Sequence, residues 1–476
     1  MEIFNLTIAE LSEKISSREI SPIEVTEIFL EQINGLNPIL NAFITVASER
    51  ACSEAQRAED ELALGNYRGP LHGIPIGVKD IIDSEGILTT HGSSFYSNNV
   101  PSADAECVRR LQGAGAIMIG KCNTAEFAAE SCTKNPHYGV CRNPWDTSRV
   151  PSGSSGGSGA AVAAKMVPGA LGTDTGGSVR GPAAICGTVG LKPTYGRVSV
   201  RGVFPNATSL DHVGPITRTV RDNAILLQGI AGFDCADPFC LDLPVPDFSA
   251  KLDMGIKGTK LAVCPDLVDV EIDKPIVDAF AKAVEVFRDL GATIDTIPCS
   301  FAAEINPHRR AIADAEFFSV HCDRYGENSS GFGKRLQDRL ENARSTTLRM
   351  YIKALERRKS LRRLMVDLLH GYSALLTPGY PCLAAPINTE MASVNGKEVD
   401  FVGLGRNLLG LQNFVGFPGL TMPTGYDPVF GLPMSLQITT LPGEEAEAFR
   451  IGHAYEEATP DLRFRECLID KSLVKK

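Results

Sequence analysis

The chain has 476 residues, 43% of them hydrophobic, and a formal net charge of −10. Such a chain can bury a large core, either as one large α/β unit or as two to three domains. The negative balance argues against a nucleic-acid or anionic-membrane partner recruited by the field of the whole protein. No apolar run of membrane-spanning length occurs, and "MEIFNLTIAELSEK" has neither the basic start nor the apolar centre of a signal peptide, so the expected location is the cytoplasm. The 13 cysteines include no zinc-ligand or C-x-x-C spacing, and the 8 histidines no H-x-x-x-H pair, so free thiols and no metal are expected.

Residues 1–65 read as helices. Thr7 with Glu10, and Ser21 with Pro22 and Glu24, have capping spacings, and Gly35 and Pro38 are predicted to end the second helix. From "HGIPIGVKDIID" onward, short apolar runs such as "GAIMIGK" and "MVPGALGTD" alternate with helical patterns such as "AECVRRLQGAG". This alternation predicts an α/β fold with a mixed or largely parallel sheet. A loop-rich stretch near 234–258 could separate two lobes, but "TKLAVCPDL" and "GATIDTIPC" continue the strand pattern beyond it, which favours one large domain. In "YIKALERRKSLRRLMVDLLH" the basic residues are predicted to form the solvated face of an amphipathic helix, opposite Leu361, Leu364, Met365 and Leu368. Two strands, "LTMPTG" and "LPMSLQITT", and a helix, "EEAEAFRIGHAYEEA", follow.

The stretch "VPSGSSGGSGAAVAA" carries the chemistry. A phosphate cradle is disfavoured, because no G-x-x-x-x-G-K-[ST] is present and Gly157-Ser158-Gly159 lacks a third glycine at Val162. A nucleophile elbow centred on Ser155 satisfies G-x-S-x-G, but "RNPWDTSRVPSGS" is a poor preceding strand and downstream histidines are few. The third reading uses the string "LGTDTGGSVRGPAA" as well. Two serine-bearing glycine loops flank the small-residue helix "GAAVAAKM" and can bring Ser154 and Ser178 to one end of it. The missing base is supplied by Lys79, at the end of an apolar strand, where desolvation lowers an ammonium pKa. The bland alternative pairs Lys79 with Asp80 or Asp83.

Together, "HGIPIGVKD", "PSGSSGGSGAAVAA" and "GTDTGGSVRGPAA" resemble the amidase signature family, the serine amidohydrolases with a Lys, cis-Ser, Ser triad. "GAGAIMIGKCNTAEFA", "CGTVGLKPTYGRVS" and "LDHVGPITRTV" strengthen a resemblance that spans essentially the whole chain. It implies one amidase domain over 1–476, with a signature core at about 71–220, a variable C-terminal lobe at about 258–476, and a large mixed central β-sheet covered by helices on both faces. The implied catalytic residues are Lys79, Ser154 and the nucleophile Ser178. Backbone N–H groups of Thr175, Gly176, Gly177 and Ser178 would form the oxyanion hole, with Ser155, Asp174 and Arg180 holding the loops.

Two positions depart from the family pattern: Ser152 replaces the usual first glycine of the loop, and Gly181 stands where glutamine-hydrolysing tRNA amidotransferase subunits carry glutamine. The second shifts weight to a free-standing amidase of small carboxamides, with the amidotransferase subunit and an allophanate or ureido hydrolase as alternatives. Ser131, Gly181, Phe317 and Phe318 are candidate pocket residues, the phenylalanines being at least as suited to the core. Arg309, Arg310 or Arg324 could meet a substrate carboxylate or simply lie on exposed helix faces. No cofactor, nucleic acid or membrane is expected, and a homodimer is compatible with the sequence.

Overall fold

A computed structural model describes residues 2–268, 270–463 and 467. Helices α1 (Ile8–Ser16), α2 (Pro22–Leu40) and α3 (Ser48–Ala63) dominate the N-terminal segment. The Thr7–Glu10 capping box forms, whereas Ser21 caps α2 through Ile23 N, with Pro22 in the first turn. Against the sequence expectation, α2 runs through Gly35 and Pro38 and stops at Asn41, which adopts φ 50°. Pro38 forfeits the N–H bond to the Asn34 carbonyl, and the buried face of Phe29, Ile33, Leu36 and Leu40 outweighs that loss.

One mixed sheet of 11 strands takes in both halves of the chain. Its strands are β1 (Phe43–Val46), β2 (Pro75–Lys79), β3 (Ile117–Cys122), β4 (Gly169–Thr173), β5 (Val189–Lys192), β6 (Val213–Thr217), β7 (Lys260–Val263), β8 (Thr293–Thr296), β9 (Ala374–Pro378), β10 (Gly419–Tyr426) and β11 (Pro433–Thr439). Their spatial order is β1-β3-β2-β4-β6-β5-β10-β11-β9-β7-β8, and helices cover both faces. Both neighbours of β2 run parallel to it, with Val78 opposite Leu171 of β4. This register delivers Lys79 and Thr173 to the same end of the sheet, the carboxyl end where open α/β sheets place their sites.

Two short helices flank β4: α4 (Gly156–Ala163) before it and α5 (Arg180–Cys186) after it. Four longer helices, α6 (Ala302–Glu327), α7 (Lys334–Ala343), α8 (Leu348–Leu368) and α9 (Phe401–Val415), form the C-terminal cover. The basic face predicted for α8 is not wholly solvated. Arg358 turns inward to Ser209 O, at 2.9 Å, and to the carbonyl of Phe414 in the last turn of α9, while Leu364 of the predicted apolar stripe is exposed. Carbonyls in the last turn of a helix lack intrahelical partners, and the long arginine stem reaches them.

Candidate active site

Lys79 is completely buried at the end of β2, and its Nζ donates to Ser154 Oγ at 2.6 Å and to Thr173 Oγ1 at 2.8 Å. Among the described residues no acid lies within ion-pair distance of it. Asp80 points away, accepting hydrogen bonds from Thr90 N at 3.1 Å and from the Thr90 hydroxyl, so the alternative pairing of Lys79 with Asp80 does not form. Burial lowers the Lys79 pKa to about 7 against the weaker opposing pull of Asp174 and Asp211. At neutral pH a substantial fraction of the amine is therefore unprotonated and able to accept a proton.

Ser154 follows a cis peptide bond from Gly153 and is fully buried. Its carbonyl accepts from Ala125 N at 3.2 Å and from Thr133 Oγ1 at 3.2 Å. The neighbouring Ser155 fixes the second loop: its N donates to Ser178 O at 3.3 Å, and its Oγ bonds the Thr173 backbone. Ser155 is thus engaged on β4, at the start of α4.

The turn bearing Ser178 is built around a dry ion pair. Asp174 and Arg180 are both fully buried, with Nε–Oδ2 and Nη2–Oδ1 distances of 3.0 Å each. Arg180 Nη1 donates to Gln412 and Gln437, and its Nη2 donates to Asn413. Burial alone would raise the Asp174 pKa, but the Arg180 guanidinium and the surrounding donors hold it well below the usual carboxylate range. Gly177 takes φ +115°, and a Cβ there would lie 2.7 Å from Leu409, so glycine is required at this position. Its N–H donates to Asp174 Oδ1 at 2.8 Å. Among the described residues the N–H groups of Thr175, Gly176 and Ser178 meet no acceptor, whereas that of Gly177, expected from the sequence as a fourth oxyanion donor, is taken by Asp174.

Ser178 opens onto a cavity of about 470 Å³, whose lining includes Thr175, Gly176, Arg309, Arg339 and Arg406. The predicted pocket residues are placed elsewhere or at its margin. Gly181 is buried in α5, and its missing side chain would point at Ser152 Oγ (2.9 Å) and Tyr380 (3.3 Å), away from the cavity. Phe317 is buried beneath Arg339, whose guanidinium carbon lies 3.8 Å from the ring centre, and Phe318 lines a different groove. Ser131 accepts from Arg406 Nε at 3.0 Å at the cavity edge. Arg324 lies over Tyr96 and bonds its hydroxyl at 2.8 Å.

Sequence reasoning missed several residues around the site. Thr173 is the second partner of Lys79; it is visible in retrospect as the last strand residue before Asp174. Asp211, in the quoted "LDHVGP", accepts from Thr175 Oγ1 at 2.5 Å, and burial raises its pKa to about 6. Asn413 binds Asp174 O at 2.8 Å from α9, and no local pattern marks it.

The family model described as Amidase matches residues 24–449. The chain belongs to the amidase signature family, and it is an amidohydrolase by fold and by family. Among curated relatives, the A-type subunit of the glutamyl-tRNA(Gln) amidotransferase of Roseiflexus sp. (strain RS-1) is 38% identical, covering 97% of this chain and 99% of the relative. A solved structure from a vestigial protein complex, bearing on the origins of an s-triazine catabolic enzyme, superposes with a TM-score of 0.91 at 32% identity, covering 97% of this chain and all of that one. A bacterial aryl acylamidase of the amidase signature family gives a TM-score of 0.88 at 27% identity, covering 96% and 98% of the two chains. No described helix is long and apolar enough to cross a membrane.

Proposed function

We propose that this chain hydrolyses a small carboxamide through an acyl-enzyme on Ser178, with the buried hydrogen bond from Lys79 to Ser154 as the observation that carries the reading. Neutral Lys79 accepts a proton through Ser154 as Ser178 Oγ forms a bond to the amide carbon. The free N–H groups of Thr175, Gly176 and Ser178 take the charge developing on the carbonyl oxygen. Collapse breaks the C–N bond, the relay returns the proton to the leaving nitrogen, and water then cleaves the ester. Ammonia release by wild type but not by Ser178→Ala, with a fluorophosphonate adduct on Ser178, is the expected result; an adduct on Ser155 instead would overturn it.

The curated relatives support a second reading better than they support the free-standing amidase suggested by Gly181. In it the amide is glutamine, and the chain is the A-type subunit of a tRNA amidotransferase, working beside partner subunits and a nucleic acid despite the net negative charge. Glutaminase activity that rises on adding such partner subunits is its test.

A further inference from the structure

The cavity in front of Ser178 is lined by five arginines, Arg309, Arg310, Arg335, Arg339 and Arg406, and three acids, Glu130, Asp314 and Asp338. Asp314 and Asp338 have partners already, and Glu130, with only a distant arginine whose close partner is Glu390, is partly neutralised by burial, which raises its pKa to about 7. Asp314 lies 3.3 Å from Arg310 and 4.0 Å from Arg339, Glu130 lies 3.8 Å from Arg335, and Asp338 binds Lys334 at 2.7 Å. Arg309 and Arg406 have no carboxylate within 4 Å among the described residues.

Arg309 is only 7% exposed, yet it makes a single long hydrogen bond, Nε to Asn306 Oδ1 at 3.4 Å. Its Nη groups donate to no described protein atom. Room for the side chain is made by Gly410 of α9, where a Cβ would collide with Arg309 Nε and Cδ. Both cations sit against the nucleophile turn: a Cβ on Gly176 would lie 3.7 Å from Arg309 Nη1 and 4.0 Å from Arg406 Cγ. Arg406 is held in place by Ser131 Oγ (3.0 Å) and Ala129 O (2.7 Å). Burial, with Arg406 beside it, lowers the Arg309 pKa to about 10, so the unpaired guanidiniums carry a cost that a bound anion relieves.

From this geometry we infer that the acyl part of the substrate carries a carboxylate, bound by Arg309 and Arg406, and no ammonium group. A planar guanidinium suits a carboxylate, and a charge-assisted pair in a partly dry site contributes more than a neutral one. An α-ammonium would instead face an excess of positive charge, because the nearby acids are paired or partly neutralised. Glutamine is therefore a poorer fit than the same acyl chain without its amine. The inference rests on Ser178 being the nucleophile of the proposed reaction.

The test compares three amides of equal chain length: glutaramate, glutamine and neutral pentanamide. Glutaramate is expected to exceed both in kcat/KM by at least tenfold, the scale of one charge-assisted hydrogen bond. Arg309→Gln should shrink the glutaramate-to-pentanamide ratio by a similar factor. Pentanamide equal to glutaramate, or glutamine ahead of it, overturns the inference. A measurement without turnover separates it from the reaction itself: glutarate titrated calorimetrically into Ser178→Ala should bind saturably, and at least tenfold more weakly once Arg309→Gln is added. No binding, or binding indifferent to Arg309, overturns the anion site, whereas an absent fluorophosphonate adduct on wild type overturns the nucleophile.

Discussion

On the strand side of Ser178, Asp174 and Arg180 are dry, bidentate and ringed by Gln412, Asn413 and Gln437, while the buried amine of Lys79 is held by two hydroxyls. On the helical side, Arg309 and Arg406 border an open cavity with no carboxylate within 4 Å among the described residues, and Arg309 Nη makes no hydrogen bond to a described residue. The first arrangement is complete without a ligand, so it fixes the turn and tunes the amine that we propose as the base. The second is incomplete, and it is the side from which selectivity between substrates should come. Changes on the strand side should therefore lower turnover of every amide, and changes on the helical side should alter the ranking of amides.

The largest effect is expected from Lys79→Met, which removes the proposed base; turnover should fall by about 10³-fold or more for every amide tested. In wild type kcat/KM should rise about tenfold per pH unit up to about 7 and level off above, because protonated Lys79 cannot accept the serine proton. That limb should vanish in the variant. Stability should move the other way. The folded pKa of Lys79, about 7, lies below its unfolded value of 10.5, so the burial penalty is full below pH 7 and fades as pH rises towards 10.5. Lys79→Met should be the more stable protein at pH 7 in denaturant melts, with the gap narrowing by pH 9. A gap constant with pH would mean that Lys79 does not titrate on its own.

Next comes Asp174→Asn, which leaves the Arg180 charge buried without its partner and weakens the bonds to Gly177 and Val179 N–H. A loss of about 3–5 kcal/mol is expected from denaturant melts, together with slower fluorophosphonate labelling at temperatures where the variant is folded. An unchanged labelling rate would separate the ion pair from the shape of the turn.

Gly181→Gln tests where the two sides divide. As the candidate pocket residue named from the sequence, Gly181 would act as a filter on acyl size, but its missing side chain points at Ser152 and Tyr380. Overpacking should cost about 1–3 kcal/mol and lower all amides in parallel. A selective loss of bulky amides would restore the filter.

The strand side was legible because its parts lie in a few contiguous strings, where glycine, serine and lysine each have a local physical reason. The parallel pairing of β2 with β4 then needed only to align two strand ends. The helical side was legible only in part: Arg309 stood among three arginine candidates for a substrate carboxylate, but Arg309, Arg339 and Arg406 come from α6, α7 and α9 and look locally like ordinary polar helix residues. Which of them keeps a partner depends on packing across those helices, and no period in the sequence reports it. The same limit hid the orientation of Gly181, which the position of Tyr380 decides.

The smallest effect belongs to Ser152, the residue that departs from the family glycine. It adopts φ +64°, a left-handed conformation that costs a non-glycine residue about 1 kcal/mol, and its hydroxyl gives back a long hydrogen bond to Ser131 O at 3.4 Å and a contact with the Tyr380 hydroxyl. Ser152→Gly removes the strain but raises the entropy of the unfolded chain, so the expected gain is below about 1 kcal/mol. Turnover should hold, because Ser154 remains fixed by Ala125 and Thr133. Ser152→Ala keeps the strain and discards the hydroxyl, which makes it the informative partner. If backbone strain dominates, the glycine variant melts above wild type and the alanine variant at or slightly below it. If both melt well below wild type, the hydroxyl supports the loop, and the serine compensates for the glycine it replaces.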